Sequence, residues 1–245
     1  MTQIIIPDWP APANIKAYTT LRHGGVSQAP YDTFNLAEHV GDNPQDVQTN
    51  RQLLKEMLSL PNEPIWLEQI HSTMVLPAVN DSRGKPADAS FTTQSKQVCV
   101  VLTADCLPLL LCHRNGTQVA AIHAGWRGLA NGIIAKTLDA LNLPPEDILA
   151  WLGPAIGPKA YELGEEIREI FIKNDAEAEQ AFIPSLHSDR WLGDLYSLAK
   201  LQLQKRHVSA IYGGKYCTYS DKERFFSYRR DGNKTGRIAS LIWMA

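Results

Sequence analysis

Three short segments of this chain set reactive side chains at the ends of very apolar runs. They are Trp66-Leu67-Glu68-Gln69-Ile70-His71, Thr103-Ala104-Asp105-Cys106-Leu107-Pro108 and Ile122-His123-Ala124-Gly125-Trp126-Arg127-Gly128. A thiolate and an imidazole brought together suit two chemistries, a zinc site or a cysteine nucleophile with histidine as its base. Their demands differ. A nucleophile needs Cys106, one histidine and a polar group to orient it. A catalytic zinc needs three protein ligands and a fourth position open to water or substrate. A second histidine favours metal; His71 is the first candidate to join Cys106 and His123, with His39 and His23 in reserve. Spacing alone leaves both chemistries open, because the segments are far apart and no Cys-X-X-Cys signature joins them.

Taken singly, each residue has an ordinary explanation. A histidine at a strand end is usually a satisfied polar group, and a cysteine in a buried turn an inert small hydrophobe. Trp66, Trp126, Trp151 and Trp243 lie in apolar stretches and are expected in the core. Lys222-Glu223-Arg224 and Arg229-Arg230-Asp231 are expected as solvated charge, and His113, His187 and His207 as loop or edge residues. No P-loop or dinucleotide fingerprint is present. Gly125–Gly128 does open a helical pattern and carries Arg127, an arrangement suited to an anion such as phosphate.

The elements that must position these residues follow from the apolar pattern. Val98–Thr103 and Leu107–Cys112 read as strands with Cys106 in the break between them. Asn115-Gly116 is a hairpin turn, and Gln118–Ile122 returns from it. Counting outward from that turn, ten residues back to about Asp105 and seven forward to His123, allows Cys106 and His123 to lie side by side. The runs are continuous rather than alternating, so both faces should be covered. Gln3–Ile6, Ile15–Leu21, Ile148–Leu152, His207–Tyr212 and Arg237–Trp243 complete the expected strands. Helices are expected from an Asn43 cap and Pro44 to Leu60, and over Gly128–Leu143, Glu162–Asp175 and Asp194–Arg206. Strands and helices mix without strict alternation, which predicts a layered α+β fold with mixed sheets in a single domain, residues 1–245.

Composition excludes several classes of function. The 245 residues carry 24 basic and 26 acidic side chains with no basic stripe, so no nucleic-acid partner is expected. No run approaches the roughly 20 apolar residues of a membrane span. The start, MTQIIIPDWP, lacks a signal peptide's basic and apolar regions, and a cytoplasmic protein is expected. The four cysteines, Cys99, Cys106, Cys112 and Cys217, are then expected as free thiols. No obligate protein partner is evident.

The segments TADCLPLLL, AAIHAGWRG, WLGPAIGPKAYELG and FFSYRRDGNKTGR, with RHGGVS and GDNP upstream, carry a resemblance. On them the chain resembles the bacterial YfiH-type, or laccase-domain, family over essentially its whole length. The resemblance implies a four-layer α/β/β/α sandwich and zinc held by His71, Cys106 and His123. It implies purine nucleoside phosphorylase activity on adenosine, inosine or S-methyl-5'-thioadenosine, with adenosine deamination alongside. Arg22 and Arg127 are candidate phosphate contacts. Gln69 and Asp105, beside the ligands, are candidates to fix imidazole tautomers or the thiolate's orientation.

An older label for the family is multicopper polyphenol oxidase. Copper could occupy the same three donors. A laccase also needs a three-copper cluster, and of the seven histidines only five would remain for it, with no His-X-His pair. A cysteine hydrolase or deamidase using Cys106 and His123 is a further alternative, since the family's fold resembles that of a bacterial toxin deamidase. A purely structural zinc would need a fourth ligand, for which His39 and Cys217 are the candidates.

Overall fold

The computed structural model describes residues 4–245. In chain order the strands are β1 (Ile4–Ile5), β2 (Ile15–Thr20), β3 (Val75–Pro77), β4 (Ala89–Thr92), β5 (Cys99–Thr103), β6 (Leu107–His113), β7 (Val119–Ala124), β8 (Ile148–Leu152), β9 (Glu162–Gly164), β10 (Phe182–Pro184), β11 (Arg190–Gly193), β12 (Ala210–Gly213) and β13 (Ile238–Met244). The helices are α1 (Pro44–Met57), α2 (Trp126–Ala130), α3 (Ile133–Leu141), α4 (Glu165–Asn174), α5 (Leu195–Lys205) and α6 (Tyr228–Asp231).

Two sheets stack face to face. One has the order β1-β2-β13-β5 and is antiparallel throughout. The other runs β12-β8-β6-β7-β4-β3, with parallel pairs at its two edges and antiparallel pairs between. The central strands are apolar at nearly every position because each feeds two cores. Leu107, Leu109 and Leu111 join Ala120 and Ile122 in a core closed by α3 and α5. Their neighbours Leu110, Cys112, Val119 and Ala121 fill the seam against Cys99, Val101 and Ile242 of the other sheet. On the far face of that sheet, Val100, Leu102, Leu241 and Trp243 pack on Phe34 and Leu36 of the loop before α1 and on Leu54 of α1. Period-two alternation therefore generates helix, sheet, sheet and helix in turn. This is the four-layer α/β/β/α sandwich.

Several boundaries differ from the sequence expectation. Gln3 lies outside the described residues. The helix expected over Gly128–Leu143 is two helices, α2 and α3, broken at Asn131-Gly132, where Gly132 has φ 87°. Asn-Gly is a turn signal that outweighed the apolar periodicity on either side. Glu162–Gly164 forms β9 before α4 begins, since Gly164 caps that helix and the segment pairs with β11. The three-stranded sheet β10-β11-β9 and strands β3 and β4 have runs too short to show a period. His207 sits in a turn at φ 62°, and β12 starts only at Ala210. The α1 cap is as expected: Asn43 accepts from the Gln45 amide at 2.9 Å. Among the described residues no helix is long and apolar enough to cross a membrane.

Candidate metal centre

Pro108 pairs with His123 and Leu107 with Ala124, so Cys106 lies one residue beyond the ladder, opposite Gly125. His71 comes from the loop before β3. The ligand atoms of His71, Cys106 and His123 lie within 4.8 Å of one another. Cys106 Sγ is 3.8 Å from His71 Nε2, and the two imidazole rings meet edge to face at 4.8 Å. Among the described residues this is the only such group of three or more His, Cys, Asp or Glu. One soft sulfur with two imidazoles is a donor set that suits zinc or copper.

Close approach at this point depends on Gly125. A Cβ there would stand 2.9 Å from Cys106 Sγ and 3.0 Å from His71 Cδ2. Its φ is an ordinary −70°, so space rather than conformation demands the glycine. Gly125→Ala is expected to push two ligands apart and weaken metal binding about tenfold or more, the scale on which disturbing a ligand's support acts. Chelator competition would read this; wild-type affinity would show that the two side chains can give way. Two non-glycine residues here adopt left-handed backbone, His71 at φ 59° and Asp105 at φ 94°. Such conformations persist only where the surroundings hold them.

For His71 the holding group is Asp88, which the sequence reading missed. Asp88 Oδ1 accepts from the His71 amide at 3.0 Å and bonds His123 Nδ1 at 2.8 Å. Its other oxygen accepts from the Ser72 amide at 2.5 Å and the Ser72 hydroxyl at 2.7 Å. The Asp88 carbonyl also accepts the His123 amide at 2.7 Å. One fully buried carboxylate thus sets the backbone of one imidazole and engages Nδ1 of the other, leaving His123 Nε2 to face Cys106. A lone acid between alanines, Ala87-Asp88-Ala89, was the available signal, but nothing in the spacing linked it to His123.

The electrostatics follow from this packing. Burial opposes ionisation of Cys106, but the His123 and His71 imidazoles outweigh it and bring the thiol down to about 6. Burial opposes the charge on His123 too, yet the Cys106 thiolate and the Asp88 carboxylate raise it to about 9. Each group thus favours the charged form of the other. Cys99 and Cys112, in apolar surroundings, are pushed up to about 12, as unreactive thiols should be.

Of the other predicted site residues, Gln69 and Arg22 engage groups other than those expected, while Asp105 and Arg127 stay at the site. Gln69 reaches not an imidazole but β5: its amide donates to the Leu102 carbonyl at 2.8 Å and accepts the Leu102 amide at 2.7 Å. The Asp105 carboxylate accepts from the Thr218 hydroxyl and the Arg229 amide, each at 2.6 Å, and so braces the turn that presents Cys106. Arg22 turns away from the site. It donates to the Asp32 and Lys222 carbonyls, sits 3.6 Å from the Asp32 carboxylate and lies over Phe226. Arg127 does line the cavity, but α2 is a five-residue helix with little dipole, and the guanidinium lies over Trp126 at 4.5 Å. Cys217 is bound up with Gly157 and Ser220.

The three clustered side chains open onto a cavity of about 570 Å³, within the roughly 300–1,000 Å³ typical of small-molecule sites. Trp126, Tyr161, His39, Arg229 and Arg237 also line it. Trp126 is therefore a wall of the cavity rather than core, and Trp66 is half-buried beneath Arg51. Arg229 stays exposed, as expected, while bonding the Glu162 carbonyl; Arg230 is half-buried and bonds the carbonyls of Thr218, Tyr219 and Phe225.

The family model for multi-copper polyphenol oxidoreductase laccase matches residues 16–245. A purine nucleoside phosphorylase of Pseudomonas aeruginosa is 50% identical over 244 residues, covering 100% of this chain and 99% of the relative. The purine nucleoside phosphorylase YfiH of Escherichia coli is 50% identical over 245 residues, covering 100% of each. A crystal structure of a Neisseria meningitidis protein superposes with a TM-score of 0.94 at 49% identity, covering 98% of each chain.

Proposed function

The chain belongs to the multi-copper polyphenol oxidoreductase laccase family, and from that membership and the site's geometry we propose a zinc-dependent purine nucleoside phosphorylase. Its substrates are adenosine, inosine or S-methyl-5'-thioadenosine with phosphate, and its products free base and pentose 1-phosphate; it also deaminates adenosine. The observation that carries this reading is a three-donor cluster opening on a nucleoside-sized cavity, in a chain half identical to relatives named for that activity. Three protein donors suit a catalytic rather than a structural zinc, and neither His39 nor Cys217 joins the cluster. The remaining histidines are not gathered into a second cluster among the described residues, which does not fit a laccase's three-copper centre.

His71, Cys106 and His123 would hold the ion, which when bound supplies Lewis-acid polarisation at its open position. In phosphorolysis the sugar–base bond breaks, a bond from a phosphate oxygen forms at the same carbon, and the base leaves with the electron pair. The protein's task is to hold phosphate against that carbon and to stabilise charge on the leaving base. Trp126 and Tyr161 offer aromatic surface for a purine while excluding water. Asp88 keeps the His123 ring in one orientation throughout.

The test is incubation of metal-quantified protein with adenosine, with and without phosphate. Adenine and ribose 1-phosphate, formed only with phosphate, are expected, with inosine from the second activity. Formation of neither would sink the reading.

One observation favours a second reading. Cys106, His123 and Asp88 also have the order of a thiol nucleophile, its base and the carboxylate that orients the base. Iodoacetamide distinguishes the two: metal-loaded protein is expected to resist alkylation at Cys106 and chelator-treated protein to react. Rapid alkylation of metal-loaded protein would favour the thiol hydrolase.

A further inference from the structure

We propose that Arg237, with His39 beside it, forms the subsite that holds inorganic phosphate in this cavity. The inference rests on the phosphorylase reading but names residues that reading does not supply. Arg237 immediately precedes β13, whose Ile238 pairs with Thr103 of β5. That register sets Arg237 beside Ala104, two residues from Cys106.

Its guanidinium is partly buried and lines the cavity. Nη1 donates to the carbonyls of Thr235 at 2.8 Å and Gly236 at 3.0 Å, which fixes the head group. Nε and Nη2 have no hydrogen-bond partner among the described residues. The arginines held in ion pairs are Arg22, Arg51, Arg168, Arg206, Arg224 and Arg230. Arg237 is not among them, and burial pulls its pKa down against the pull of Cys106 and Asp105. A cation withdrawn from water without a carboxylate is costly, and an anion in the adjoining space relieves the cost. The planar fork with unused donors suits a phosphate.

His39 lines the same cavity, and its ring makes no hydrogen bond among the described residues. Partial withdrawal from water, then Arg237 and Arg51, lower its pKa, and neutral or charged the ring carries an N–H donor. Asn35 ties the two groups together: its Oδ1 accepts the amides of Ala37 and Arg237, each at 3.0 Å. Thr103, on the same wall, has a buried hydroxyl with no partner in the protein. The other arginines of the cavity are less suited. Arg229 is drawn to the Glu162 carbonyl at 2.7 Å, and Arg127 and Arg190 are exposed, Arg127 lying over Trp126.

The experiment titrates metal-loaded, full-length protein with inorganic phosphate by calorimetry, alongside phosphorolysis kinetics at saturating adenosine. Arg237→Met is expected to raise the phosphate Kd and KM about tenfold to hundredfold, the loss of one or two charge-assisted bonds, with the adenosine KM changed less than about threefold. Arg237→Lys should recover part of the loss, keeping charge but not the fork. His39→Ala should raise both phosphate constants about threefold to tenfold. Because its ring braces nothing, it carries the test if Arg237→Met fails to fold. Wild-type phosphate constants in the folded variants, or no phosphate binding by the wild-type protein, would overturn the subsite. Cleavage of adenosine with unchanged phosphate constants sinks the subsite and leaves the phosphorylase standing. Phosphate binding that depends on Arg237, without nucleoside cleavage, does the reverse.

Discussion

Cys106→Ala is expected to strip the bound metal and abolish nucleoside cleavage together. The thiolate is the only sulfur in the three-donor cluster and its only anionic donor. Structural zinc sites bind with about 10–16 kcal/mol, or roughly 3 kcal/mol for each of four donors, so losing one weakens binding about hundredfold. The two remaining imidazoles would then hold a divalent ion poorly, and His123 would lose the negative partner that raises its pKa. Metal content after dialysis, measured by mass spectrometry beside the adenine release rate, reads both effects. Cys106→Ser should lose metal nearly as completely, since a hydroxyl is a far weaker ligand than a thiolate. A metal-free variant that still cleaves adenosine at the wild-type rate would move the chemistry to the arginines and the shape of the cavity.

The second large effect is expected at Asp88, where fold and site share one side chain. Its carboxylate serves His123 Nδ1, the His71 and Ser72 amides and the Ser72 hydroxyl, all in a fully buried position. Asp88→Ala would leave several buried donors without an acceptor, each costing about 1–3 kcal/mol. A total of about 3–5 kcal/mol lowers Tm by about 6–20 °C in a domain of this size. Metal affinity should fall about tenfold to hundredfold in parallel, because His123 would no longer be held with Nε2 toward Cys106. Asp88→Asn separates the two consequences. One oxygen can still accept from His123, but the amide nitrogen presents hydrogens to the Ser72 donors. Stability should drop while metal affinity falls less than in the alanine variant. Thermal melts and chelator competition on both variants decide it; wild-type behaviour of Asp88→Ala would refute the role.

The closeness of Cys106 and His123 is legible in the sequence. A tight Asn115-Gly116 turn between uninterrupted apolar runs leaves the register little freedom, and the observed pairing of Pro108 with His123 is within two residues of the count. His71 is less so, because no hairpin ties its loop to the others; it stood as the first candidate for a third ligand, and the family motif narrowed the choice to it. Gln69 and Asp105 illustrate a limit. Adjacency to a ligand suggested contact with it, but the left-handed backbone at His71 (φ 59°) and Asp105 (φ 94°) breaks the extended geometry from which neighbours' directions could be read. Gln69 braces the β5 backbone instead, and Asp105 holds the turn that presents Cys106 through Thr218 and Arg229. Arg22 failed for a similar reason, since its glycine-rich loop turns it toward Asp32 and Phe226.

By itself the sequence determined the longer local elements and the two-sided burial of the central strands, because apolar period and turn chemistry act over a few residues. It also marked Cys106 and His123 as a pair. Only the tertiary structure decided that Asp88 orients His123 from 35 residues away, that Gly125 must lack a side chain, and that Arg237 faces the cavity without a carboxylate. These relations join residues on different strands. They come from sheet register and layer stacking, which are set by the whole core at once and leave no periodic trace near the residues they bring together.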